Sequence, residues 1–227
     1  MDELNTETSA AVPSGSTPAD VAARASARAR ALRLEHLTVG YNIVEGIIAV
    51  IAATAAGSVA LLGFGVDSFI ESASGAILIW RLRAESGSST SAAIHALDRK
   101  AERWVGVSFF VLAAYIAWEA ATSLVEGRRP EITWIGIGLT VVSIAIMWWL
   151  GAAKRRAAKE LGSRALEADA FQTTVCWWLS LITLGGVGLN AAFGWWWADP
   201  VSALGMSALL LREGREAWNG QPCGSCG

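Results

Sequence analysis

Six apolar runs punctuated by short charged segments constrain this chain more than anything else in it: residues 37–56, 59–82, 104–125, 132–153, 166–193 and 197–211. About 20 apolar helical residues cross a hydrocarbon layer about 30 Å thick. With 53% hydrophobic and only 17% charged residues, the composition lies well to the apolar side of an ordinary soluble domain. The expected fold is an all-α membrane protein, a six-transmembrane-helix bundle over residues 35–213. A mobile, Arg-containing tail is expected over residues 1–34 and a short tail over 214–227. The first two runs are joined by little more than Gly57 and Ser58, and the last two by the turn before Asp199 and Pro200, so both pairs read as antiparallel hairpins.

Of the 18 Lys and Arg residues, all but Arg128 and Arg129 fall before the first run, from the end of run two to the start of run three, between runs four and five, or after run six. The positive-inside rule then places both termini in the cytosol and makes this a multi-pass protein of the cell membrane, inner or plasma. Arg24, Arg28, Arg30 and Arg33 cluster near the first run, where they suit either contact with anionic headgroups or plain solvation. Trp80, Trp104, Trp134 and Trp195–Trp197 mark run ends, as an aromatic belt does, while Trp118, Trp177 and Trp178 lie deeper and are expected to pack. The acidic, polar start MDELNTETSA is no secretory signal. A net charge of −2 carries no signal for nucleic acid, which is not expected as a partner.

A carboxylate at the centre of a membrane helix costs about 2.5–3.5 kcal/mol on insertion scales, so each one needs a partner, a proton or a task. Glu45 in run one, Asp67 and Glu71 in run two, Glu119 in run three and Asp169 in run five are all of this kind, whereas run four has no ionisable residue at all. Asp67 and Glu71 are four apart and share a helix face, where two like charges repel unless one is protonated or a cation lies between them. Asp169, Gln172 and Cys176 are spaced three and four apart and can share a face of run five. Asp67 lies about 12 Å into its run, and Gln172 to Cys176 about 9–15 Å into theirs from the opposite side, so the two faces can meet near mid-membrane.

The segments YNIVEG in run one, GFGVDSFIESASG in run two and WADPVSALGMSALLLREG in run six resemble the cation diffusion facilitator family, over residues 35–215. The resemblance implies six spans, proton-coupled export of zinc, cadmium, cobalt, iron or manganese, and a homodimer. It also implies a metal site pairing Asp/His-x-x-x-Asp on span two with His-x-x-x-Asp on span five. By position those ligands fall on Asp67, Glu71, Gln172 and Cys176. Glu71 keeps the charge, but Gln172 and Cys176 replace a strong nitrogen donor with a weak amide and a hard oxygen with a soft sulfur. Two carboxylates, a thiolate and an amide oxygen fit Zn²⁺ or a similar borderline ion and disfavour Mg²⁺ and Ca²⁺. Asp169 is an alternative ligand, with Gln172 orienting it. The sequence also stops where the family's usual cytoplasmic domain would begin, so a variant lacking that domain is expected.

Each candidate has a plainer reading beside it. Cys176 can be a small apolar filler, and Gln172 can join helices by hydrogen bonding. Asn42 and Glu45, three apart, either line a proton or ion path or pair within the bundle. Glu119 has either a structural or an exit-side proton role. Asp199 and Pro200 read as the cap and first turn of span six. Cys223 and Cys226 form a C-x-x-C pair that can capture metal in the tail, complete a four-cysteine site across a dimer, or be incidental. With only His36 and His95 in the chain, a haem carrier is not expected. No nucleophile–base pair or phosphate loop points to an enzyme, and no cofactor is expected beyond the transported ion. The rival to a transporter is a sensor or partner subunit that keeps the fold with a degenerate metal site.

Overall fold

Helices are what the apolar runs must form, since a backbone in lipid can satisfy its polar groups only internally. In the computed structural model, which describes residues 18–84 and 91–219, six helices follow one another: α1 Pro18–Ala56, α2 Val59–Ala84, α3 Ser91–Glu126, α4 Trp134–Leu161, α5 Arg164–Phe193 and α6 Ala198–Asn219. Five of them, α1 to α5, are long and apolar enough to cross a membrane. The sixth is shorter and more polar but packs along α3 and against α5.

The helix ends follow local chemistry. Gly57 turns the chain between α1 and α2 at φ +66°, a left-handed conformation that costs glycine little. Thr133 and Ser163 cap α4 and α5 by accepting from the backbone N–H groups of Gly136 and Leu166.

α1 packs along α2, α3 along α6 and α4 along α5, with further contacts from α1 to α4 and from α2 to α5. The buried stripes have a spacing of three and four. On α1 the stripe is Glu35, Thr38, Asn42, Glu45, Ala49 and Ala52; on α5 it is Asp169, Thr173, Cys176, Ser180, Thr183, Val187 and Asn190. A 3.5-residue repeat suits helices crossing at about 20°. Between α1 and α2 the approach is closest at Gly46 and Gly65. A Cβ on Gly46 would come within 3.0 Å of the Gly65 carbonyl oxygen and the Phe69 ring, and one on Gly65 within 2.9 Å of the Ala49 side chain.

Phe64, Leu61, Ile116, Met147, Leu150, Leu179, Met206 and Leu210 form the main apolar core. A smaller cluster of Ala31, Leu78, Leu82, Ala157, Ala158 and Leu166 closes one end of the bundle. Large apolar side chains such as Ile51, Val111, Val142 and Trp148 point outward, as a lipid-facing surface requires.

Four sequence expectations need correction. The Arg-bearing segment before the first run is helical from Pro18 and continuous with α1. Ala and Arg favour helix, propagation from an existing helix is cheap, and Ala27 and Ala31 are buried. Residues 1–17 lie outside the described part. Run four extends past 153 through Leu161 and carries a buried lysine, Lys154. Trp118 and Trp178 do not pack inside: they are 71% and 53% exposed on the outer surface. Asp199 sits within α6 and its carboxylate reaches across to α2, accepting from the Ser58 hydroxyl at 2.5 Å and from the N–H groups of Val59 at 2.9 Å and Ala60 at 3.4 Å. It therefore caps α2 from a neighbouring helix, where free N–H groups and the helix dipole favour an anion.

Candidate metal centre

α2 and α5 bring three ionisable groups together in the interior. Asp67 and Glu71 are 4% and 1% exposed and lie one turn apart on α2, facing α5, where Cys176 is equally buried at 1%. The Cys176 thiol lies close enough to interact with both carboxylates. One oxygen of Glu71 accepts from the Thr173 hydroxyl at 3.0 Å; the other accepts no hydrogen bond of ordinary geometry among the described residues. An anionic oxygen buried without a donor is expensive to keep in a fold.

Gln172 stands beside this stripe, half-buried, and its amide nitrogen is buried without a hydrogen-bond partner among the described residues. Turning the amide about would place its oxygen at that point, since the two ends are nearly alike in shape. Asp169 is buried one turn below Thr173 and its carboxylate reaches Lys154 at 2.5 Å. Among the described residues no three His, Cys, Asp or Glu side chains already stand as a metal-binding group. The α2 and α5 side chains would therefore have to draw together around an ion.

A polar group on α1 adjoins the pair. Glu45 is 1% exposed and accepts from the Tyr41 hydroxyl at 2.9 Å and from the Ser68 hydroxyl, on α2, at 3.1 Å. Ser143 of α4 lies near the same carboxylate, and Glu45 interacts electrostatically with both Glu71 and Asp67. Asn42, one turn earlier, is fully buried, and neither end of its amide has a partner among the described residues. Glu119 lies apart, near the end of α3, paired with Arg128 at 2.5 Å. Cys223 and Cys226 lie outside the described residues.

Thr173 and Lys154 were not singled out from sequence, although both continue a buried stripe. On α4 that stripe runs Gly136, Thr140, Ser143, Met147, Leu150, Gly151 and Lys154. Glu35 belongs to the corresponding stripe on α1, after the buried Ala27 and Ala31.

The cation efflux transmembrane domain matches residues 37–218. The chain belongs to that family. It is 31% identical over 163 residues to an uncharacterized transporter, sll1263, of Synechocystis sp. (strain ATCC 27184 / PCC 6803 / Kazusa), covering 70% of this chain and 52% of that protein. It is 28% identical over 150 residues to transmembrane protein 163 of Xenopus laevis, covering 65% of this chain and 51% of that protein. The chain thus spans about half the length of the curated relatives it matches. Within the cation efflux family, the segments around Glu45, Asp67 and Asp199 all fall inside the matched region.

Proposed function

We propose that this protein carries a divalent metal cation, Zn²⁺ or an ion of similar character, across the cell membrane and out of the cytosol in exchange for protons. The observation that supports it is the burial of Asp67 and Glu71 on α2 within electrostatic reach of Cys176, itself buried, on α5. Two carboxylates and a thiol bind a borderline metal in preference to Mg²⁺ or Ca²⁺, which take oxygen ligands alone. Gln172 supplies a fourth, amide donor, and Thr173 orients Glu71.

Coupling to protons follows from the same groups. Carboxylates and a thiol must lose their protons to bind metal, so binding weakens as pH falls. An acidic outer face then favours release there and loading inside. The segregation of Lys and Arg supports cytosolic termini, and the family resemblance supports a homodimer.

The test is metal-driven proton flux in proteoliposomes. Flux is expected with Zn²⁺ and is expected to vanish in the double variant Asp67→Ala, Glu71→Ala; flux unchanged in that variant ends the assignment. A non-transporting sensor or partner subunit is the second reading, motivated by Gln172 and Cys176 where the resemblance implies His and Asp. Calorimetry separates the two further, because a scaffold with a degenerate site would take up no Zn²⁺ at micromolar concentration.

A further inference from the structure

Lys154 is completely buried, and its ammonium lies 2.5 Å from Asp169 Oδ2 on α5 and 3.1 Å from Glu35 Oε2 on α1, both themselves buried. One cation thus ties three helices at one level. Glu35 also rests against α2 at Gly75, where an added Cβ would come within 3.6 Å of its Oε2 and 2.8 Å of Val39. Gly75 is four residues beyond Glu71, so the triad lies about one turn from the α2–α5 site. Lys154 acts electrostatically on Glu71 as well.

The next turn outward is the small apolar cluster, with Ala31, Leu78, Ala157 and Leu166 each three or four residues from Glu35, Gly75, Lys154 and Asp169. From that end of the bundle, the order inward is apolar layer, ion triad, candidate site. Glu35 Oε1 and Asp169 Oδ1 are buried and accept no hydrogen bond of ordinary geometry among the described residues. Two carboxylates sharing one ammonium have spare capacity for a cation.

We propose that Lys154 is a tethered cation that closes the path between the α2–α5 site and the Leu82–Leu166 end of the bundle, and that a divalent ion passes by displacing it from Asp169. The displacement rests on the reading of α2 and α5 as a cation site; the closure does not. A monovalent ion brings the Asp169 carboxylate the single charge that Lys154 already supplies, whereas a divalent ion doubles the Coulomb attraction at equal distance. Lys154 thereby discriminates by charge at the entrance, before the ligand set discriminates by softness.

The test uses Cys176 as a reporter. In the full-length chain carrying Cys223→Ser and Cys226→Ser, Cys176 is the sole remaining thiol. Its rate of modification by a small methanethiosulfonate is read in lipid nanodiscs, with and without zinc chloride. Slow modification is expected in this parent. Lys154→Met is expected to raise the rate about tenfold or more, because removing one partner of a buried pair shifts the closed–open balance by more than that factor requires. Lys154→Arg, which keeps the charge in a bulkier head group, is expected to be modified more slowly than Lys154→Met.

Glu35→Gln removes one tether, keeps the Lys154–Asp169 pair, and serves if the methionine variant does not fold; a rate about threefold above the parent is expected. Rates equal to the parent in every folded neutralising variant, or an arginine variant as fast as the methionine one, overturn the proposal. Acceleration that Zn²⁺ suppresses supports both closure and site. Acceleration without Zn²⁺ protection upholds the closure and removes the site and the displacement with it.

Discussion

The Thr173 hydroxyl lies 3.0 Å from Glu71 Oε1 and 3.2 Å from the Asp169 carbonyl oxygen of its own helix, two acceptors that share its single proton. The contact with Glu71 orients that carboxylate. Thr173→Val keeps the shape, removes the donor, and leaves that carboxylate free to turn. Zn²⁺ affinity measured by calorimetry is expected to fall about tenfold or more, the usual cost of losing a group that orients a ligand. Affinity unchanged in Thr173→Val means that Glu71 does not bind the ion in the orientation seen here.

Asp199 joins the start of α2 to α6 through three hydrogen bonds, two of them to backbone N–H groups that the helix itself cannot satisfy. Asp199→Ala is expected to cost about 2 kcal/mol, at the upper end for a lost cap because the site is buried. Thermal unfolding in detergent, followed by tryptophan fluorescence, measures it, with Ser58→Ala expected to cost less. Equal melting of Asp199→Ala and the parent would show that the contact is not needed to hold α2 and α6.

The α2 pair was legible in the sequence because two carboxylates four apart in an apolar run have few uses, and a helix of fixed period puts them on one face. The α5 side was less so. Family spacing leads to Gln172, whereas the stripe through Asp169, Thr173 and Cys176 brings Thr173 to Glu71. Both follow helical spacing, and only the rotation of α5 against α2 separates them. Lys154 was hidden for a different reason: hydropathy ends an apolar run at the first cation, yet the buried stripe of α4 continues through it. Its neutralising partners lie 119 and 15 residues away in sequence, so no local pattern announces them. Trp118 and Trp178 mislead in the opposite direction, since depth in a bilayer does not distinguish a core position from a lipid-facing one.

Gly65 lies where α1 and α2 nearly touch, and a Cβ there would fall 2.9 Å from Ala49 and 3.1 Å from the Val50 backbone nitrogen. Backbone contact of this kind cannot be relieved by rotating a side chain. Gly65→Val is expected to destabilise by about 1–3 kcal/mol, as overpacking does, or to prevent folding. Gly40→Ala, on the same α1 but with open space around it, is expected to be neutral or slightly stabilising. Tryptophan-monitored melting of the two variants side by side tests this, and a Gly65→Val protein as stable as Gly40→Ala would contradict the close packing.

Glu45 differs from the α2 pair in being fully engaged: Tyr41 and Ser68 each donate to one of its oxygens, while it interacts electrostatically with Asp67 and Glu71. Under the proposed transport function, a carboxylate so placed is better suited to exchange protons with the α2–α5 groups than to bind the ion. Glu45→Gln keeps the size and hydrogen-bonding capacity but cannot ionise. Zn²⁺ affinity is expected to stay within about threefold while metal-driven proton flux falls by about tenfold or more, the scale of a positioned acid–base group. Tyr41→Phe, which leaves the carboxylate but removes one donor, is expected to lie between the variant and the parent in flux. Loss of Zn²⁺ binding in Glu45→Gln would instead make Glu45 a ligand and move the site toward α1.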